Sequence, residues 1–158
     1  MNWIDRILRR ILPHVVISSD ENDVYMVRYK LFRCPWFKIF LHHILRSDED
    51  IELHDHPWNF VSLILWEGYH EINSVPDHLG VQDWPRRIRA GNIVRHKAED
   101  AHRLVLERPA WTLVLVTGKK RHWGFYRRVN PTRSIECEWE PYEKFFDRKY
   151  GAGNWVSF

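Results

Sequence analysis

The sequence predicts an all-β sandwich or barrel with a short helix at each end, folded as one domain. Three observations carry this expectation. From Val15 onward, β-branched and aromatic residues recur in short runs separated by turn-forming residues. Helical spacing of apolar residues is confined to the two ends of the chain. The 158 residues are the size of one domain, and no internal repeat, low-complexity tract or long linker divides them. The expected partition of residues 1–158 is an amphipathic helix over 1–13, a β region over 15–139 and a short helix over 141–150.

Ile4, Ile7, Leu8, Ile11 and Leu12 lie three and four apart, which stripes one helical face, and Pro13 ends the pattern. Asp5, Arg6, Arg9 and Arg10 interrupt the stripe, so the segment lacks the unbroken apolar run of a signal peptide or membrane span. A membrane-surface or partner-binding helix would use the same stripe. The commoner use is packing on the host domain, here across one end of a barrel. Strands are expected over 24–32, 37–46, 60–66, 69–73, 86–90, 103–107, 111–116 and 122–127. The breaks fall at 20–23, 34–35, 47–50, 67–68, 74–80, 91–92, 108–109 and 118–120, each of turn composition. Near the end, Tyr142, Phe145, Phe146 and Tyr150 sit at helical spacing between Pro141 and Gly151, which predicts the closing helix.

Composition narrows the function classes. Hydrophobic residues make up 44% and charged residues 28%, and nine Trp, six Tyr and eight Phe demand a large interior or a binding face to cover them. The net charge is only +3, with cations scattered among acids, so no basic stripe points to nucleic acid. Cys34 and Cys137 have neither disulfide-framework nor redox-pair spacing and are expected as reduced, buried thiols of a cytoplasmic protein. No Ser-His-Asp set, P-loop or dinucleotide glycine motif is present, which removes hydrolase, NTPase and Rossmann readings.

The chemistry concentrates in histidine. His54-Asp55-His56 puts two imidazoles on the same side of an extended segment, where they face one point. A metal that prefers imidazole needs at least a third donor, and a site meant for chemistry keeps a position open. His102, preceded by a polar turn and followed by an alternating strand, is the best candidate for that donor. His42 and His43 point to opposite faces, so at most one approaches the site and the other is expected to be partly exposed. His14, His70, His78 and His96 have no partner at ligand spacing and read as structural.

With HDHPWNFVSLILWEG, which supplies His54, His56 and Gly68, and GNIVRHKAEDAH, which supplies Gly91 and His102, the chain resembles the cupin superfamily over about 40–126. The resemblance implies a small single-domain cupin, a double-stranded β-helix or jelly-roll barrel over 15–139 with short N- and C-terminal helices. It also implies one divalent metal ion, iron, manganese, nickel or zinc, on His54, His56 and His102. Two positions depart from the family pattern: Val61 stands where a Glu ligand is usual, and Lys97-Ala98-Glu99 replaces a P-x-G turn. The H-D-H-P-W, E-G-Y and R-H-W-G-F combination is similar to small cupins carried by phages and prophages, which implies a bacterial or phage-infected cytoplasm as source.

Three neutral imidazoles leave a divalent ion's charge uncompensated, so it stays a good Lewis acid for water or an anionic substrate. Arg46, in phase with His42 and Ile44, could hold a carboxylate or phosphate, or pair with Asp48 or Asp50 at the strand end. Asn59 and His122 complete the candidate substrate-binding set, with a turn hydrogen bond and an aromatic-cluster cap as their structural alternatives. The expected function is metal-dependent, an iron(II)-type oxygenase or a metal-dependent isomerase acting on a small anionic molecule. The alternatives are a non-catalytic module that binds a small ligand or a protein as a phage accessory factor, and a metal-free sugar epimerase. A small-molecule ligand and a homodimer are expected as partners, and nucleic acid and membrane are not.

Overall fold

Strand alternation sorts the side chains onto the two faces of two six-stranded antiparallel sheets. The computed structural model describes residues 3–18, 23–77, 80–128 and 137–152. The first sheet joins β1 (His14–Ser18), β2 (Val24–Arg33), β3 (Phe37–Ile44), β10 (Ala110–Thr117), β5 (Phe60–Trp66) and β8 (Ile93–His96), in that spatial order. The second joins β12 (Cys137–Pro141), β11 (Gly124–Arg128), β4 (Leu53–His54), β9 (His102–Val105), β6 (Gly68–Asp77) and β7 (Gly80–Arg89). Helices α1 (Trp3–Ile11) and α2 (Tyr142–Tyr150) flank them. No helix among the described residues is long and apolar enough to cross a membrane.

Each face of the first sheet has a separate occupant. Met26, Arg28, Phe40, His42, Ile44, Thr112, Val114 and Val116 line the interior, while Val27, Tyr29 and Trp111 form an outer cluster against Leu8 and Leu12. The first helix therefore covers the outer face of the sheet, not a barrel end, because that face is the one left apolar. Its Asp5 is fully buried there and accepts hydrogen bonds from the Tyr29 hydroxyl, from Arg9 Nε at 3.1 Å and from His43 Nδ1 at 3.2 Å. His43, expected partly exposed, is buried for the same reason, with its ring stacked 4.1 Å from Trp111. Of the cysteines, Cys34 is half-buried and Cys137 exposed, both free, so the expectation of two buried thiols fails at Cys137.

The strands expected over 69–73 and 86–90 are longer, a continuous ladder from Gly68 opposite Arg89 to Asp77 opposite Gly80. Pro76 and Pro85 are tolerated because β7 is a sheet edge and β9 pairs with β6 only over residues 70–73. Four short strands, β1, β4, β8 and β12, fall where no strand is expected; two to five residues are too few to show a period. His78 and most of the turn expected at 20–23 lie outside the described residues. The closing helix runs from Pro141 at its N-cap to Gly151, whose φ of 85° suits glycine and whose N–H reaches the Asp147 carbonyl at 2.9 Å. It packs Phe145 and Phe146 on Phe125 of β11.

Candidate metal centre

Register builds the site. His54 is directly opposite His102 across the β4–β9 pair, and His56 follows two residues later on the same side. Ligand atoms of His54, His56 and His102 thus lie within 4.8 Å of one another, at the wall of an interior cavity of about 520 Å³. The middle residue of the motif points the other way. Asp55 is fully buried and accepts from Gly124 N–H at 2.7 Å, Trp139 Nε1 at 3.0 Å and Arg121 at 3.2 Å, which clamps the ribbon that carries the two rings.

A carboxylate that the sequence reading passed over completes the arrangement. Glu71, fully buried on β6, sits two residues from Asn73, the register partner of His102, so it is diagonal to that ring. Its Oε1 accepts from His102 Nδ1 at 2.8 Å and from His96 Nε2 at 2.9 Å. Burial opposes the charged form of Glu71, but the hydrogen bonds from His102 and His96 outweigh it and hold the carboxyl well below the usual range. Glu71 ties His96, on the first sheet, to His102, on the second. Val61, by contrast, lies on β5 beside a shallower hollow of about 300 Å³, which also takes in Asn59 and Arg95.

The donor chemistry fits a divalent ion. With Nδ1–H given to Glu71, the lone pair of His102 is on Nε2, which faces His56 Nε2 at 2.9 Å. That spacing suits two ligands of one ion, or an N–H···N bond in its absence. Burial, and the neighbouring His102, lower His54 to about 4, against the opposing pull of Asp48; burial and the surrounding histidines hold His56 well below its ordinary value. Both rings are therefore neutral donors at neutral pH. Glu71, His96 and His102 form a second group of ligand atoms within 4.8 Å, all three buried. Glu71 lines neither cavity and its Oε1 is taken by two N–H donors, although its Oε2 is buried with no partner among the described residues, whereas His54, His56 and His102 all line the large cavity.

The other candidate residues are dispersed. Arg46 lines the cavity but is paired with Asp23 at 2.9 Å and Glu49 at 3.7 Å. Asn59 Oδ1 accepts from Ala98 N–H at 2.9 Å, which braces the turn that stands in place of P-x-G. His122 is exposed at the cavity rim, 3.9 Å from Glu143. His42 lines the cavity, where its Nε2 accepts from Arg28 Nε at 3.0 Å. Glu71 and His96 were legible only as the one acid within the expected 69–73 strand and a histidine six residues before His102.

No protein-family model matches the sequence, and no curated protein matches it significantly. Solved structures do resemble it in fold. An iron(II) form of HppE superposes with a TM-score of 0.53 at 15% identity, over 68% of this chain and 57% of that one. A cupin-2 domain protein from Rhodospirillum rubrum gives 0.55 at 10% identity, over 77% and 78% of the two chains. An RmlC-like cupin from Shewanella frigidimarina gives 0.51 at 12%, over 71% and 88%. This chain thus spans little more than half the length of HppE. With two antiparallel sheets enclosing a histidine-lined cavity and these neighbours, the chain has the cupin jelly-roll fold.

Proposed function

We propose that this protein is a metal-dependent cupin enzyme that holds one divalent ion on His54, His56 and His102 and transforms a small anionic molecule in the adjoining cavity. The observation that carries the reading is the Glu71–His102 hydrogen bond at 2.8 Å. It fixes the proton of the ring on the side away from His56, which leaves three imidazole lone pairs for one ion. When bound, such an ion supplies Lewis acidity and, if it is iron(II), a site for oxygen chemistry.

The chain's own residues do the rest. Glu71 orients His102, Asp55 fixes the ribbon bearing His54 and His56, and Phe60 packs edge-on at 4.8 Å against His56. Phe40, Trp58, Val114 and Val116 give the cavity an apolar wall that limits water around a bound molecule. An iron(II)-type oxygenase and a metal-dependent isomerase would both use the same open ligand set. Elemental analysis of protein purified without chelator, for wild type and His102→Ala, tests the reading. Near-stoichiometric iron, manganese, nickel or zinc is expected in the wild type and not in the variant; wild type that takes up none of the four ends it. Capture of a metabolite without a new product by mass spectrometry would replace the enzyme with a binding module.

A further inference from the structure

Every charged side chain lining the large cavity has a partner or reaches solvent, with one exception. Arg46 is paired with Asp23 and Glu49, and Glu49 and Asp50 also meet Lys149 at 3.3 and 2.6 Å. Asp48 accepts the Leu104 N–H at 2.6 Å, and Lys119 sits at the exposed rim. Arg28 is different. It projects from β2 into the interior, where its Nε donates to His42 Nε2 and its guanidinium carbon lies 5.2 Å from the Phe40 ring centroid. No carboxylate among the described residues pairs with it. Its side chain lines the cavity, and neither terminal nitrogen of its fork hydrogen-bonds to a described residue.

A half-buried guanidinium that lines a cavity without a counter-anion is costly, since its partial desolvation disfavours the charge; here burial draws its pKa down to about 10. His42 does not offset that charge. It is held neutral, first by its own burial and then by Arg28, and can only accept the Nε–H. With Nε used, the two terminal N–H groups form an end-on fork that matches two oxygens of one oxyanion. Arg28, His54, His56 and His102 line the same cavity, so the fork and the three-histidine set serve one space. Phe40, Trp58, Phe60, Val114 and Val116 line the same cavity, with Phe40 beneath the Arg28 guanidinium and Phe60 against His56.

We propose that Arg28, steadied by His42, is the anion-holding end of the cavity. The ligand is then a small organic acid whose carboxylate or phosphonate meets this fork, whose apolar body lies along the aromatic wall, and whose far end reaches the histidines. This rests on the proposed function for the role of the histidines, but its test does not need the metal.

EDTA-dialysed full-length protein is titrated by calorimetry with benzoate against benzamide, hexanoate against hexanamide, and phenylphosphonate, and its thermal unfolding is followed with and without each. At least one acid should bind roughly tenfold or more tighter than its neutral amide and raise the melting temperature. Arg28→Met should lose that preference and, in anion-free buffer, melt no lower than wild type, because it removes an unpaired, half-buried charge; Arg28→Lys should keep part of the affinity. The proposal is overturned if none of the anions binds, if acids and amides bind alike, or if Arg28→Met melts well below wild type or fails to fold, which would make Arg28 structural. Binding of acids by protein that takes up no metal would leave Arg28 in place and remove the proposed function. Acid binding that appears only with metal loaded, and persists in Arg28→Met, would do the reverse.

Discussion

Glu71→Gln separates the two roles open to the buried carboxylate. Glutamine keeps the shape of Glu71 and a carbonyl oxygen able to accept from His102 Nδ1 and His96 Nε2, now at 2.8 and 2.9 Å; it removes only the charge. If the ion is held on the Nε2 side of His102, the carboxylate acts through that ring. Its neutralisation should then weaken metal binding by about 10- to 100-fold, or about 1.4–2.7 kcal/mol. If the ion were instead held by Glu71, His96 and His102, the same variant would alter a direct ligand, and His96→Ala would delete another. Competition of the apoproteins with a chelator for Co²⁺ or Zn²⁺ at neutral pH measures this. A loss inside the window for Glu71→Gln, with binding kept by His96→Ala, is expected. Binding abolished in both moves the ion to the buried triad, and unchanged binding in Glu71→Gln refutes the orienting role. Glu71→Ala probes stability separately. It strands two buried N–H donors, at about 1–3 kcal/mol each, and should lower the free energy of unfolding in urea by about 2–6 kcal/mol.

Two further outcomes follow from the same interior chemistry. In the metal-free protein His54 has its folded pKa lowered to about 4 while the unfolded chain titrates near 6.5, so the unfolded state binds more protons between those values. The stability it contributes is whole above pH 6.5 and is lost as pH falls toward 4, about 3 kcal/mol from His54; His42 and His56 act in the same direction. Melting temperature recorded against pH in EDTA should therefore decline across this interval, and a flat profile contradicts the buried neutral histidines. Asp5→Ala deprives His43 of its buried acceptor on the outer face and leaves the Tyr29 hydroxyl only the main-chain oxygen of residue 5, at 3.3 Å. It should cost about 2–4 kcal/mol in urea unfolding while metal stoichiometry stays that of the wild type, and a loss of metal would show that α1 and the cavity are coupled.

The parts of the site readable in the sequence are those where chemistry coincides with spacing along one strand. His54 and His56 share a side because two residues separate them, and His102 stands out as a polar residue at a strand start. The inward phase of His42 and Ile44 could also be read, since both line the cavity. Glu71 could not, because its relation to His102 is a cross-strand diagonal fixed by the β6–β9 register, which has no signature along the chain. Arg28 was hidden for a different reason. Its strand, VYMVRYKLFR, is apolar on both faces, because α1 covers one and the cavity wall needs the other, so alternation gives no phase. Arg46 follows the phase of His42, yet β3 ends at Ile44, and beyond it the guanidinium meets Asp23.

The same division explains how a chain of this length keeps a polar cavity at its centre. An interior holding Arg28, His42, Asp48, Glu71, His96 and three further histidines forgoes much of the apolar burial that ordinarily stabilises a small domain. Apolar packing is instead gathered around it. Ile44, Ile64, Tyr69, Ile88, Val94 and Ala110 form the core at one end, Val27, Tyr29 and Trp111 sit beneath α1 outside the first sheet, and Phe125, Phe145 and Phe146 join α2 to the second. The helices therefore do more than cap the chain: α1 gives the first sheet an apolar contact on the face away from the cavity, and α2 gives the second sheet one that itself borders the cavity through Phe125, Phe146, Tyr142 and Tyr150. On this argument, changes in the α1 cluster alter stability and leave the ligand chemistry intact, whereas changes at Arg28 alter ligand binding with little loss of stability. That opposition is the physical mark of a cavity kept polar for a ligand and not for the fold.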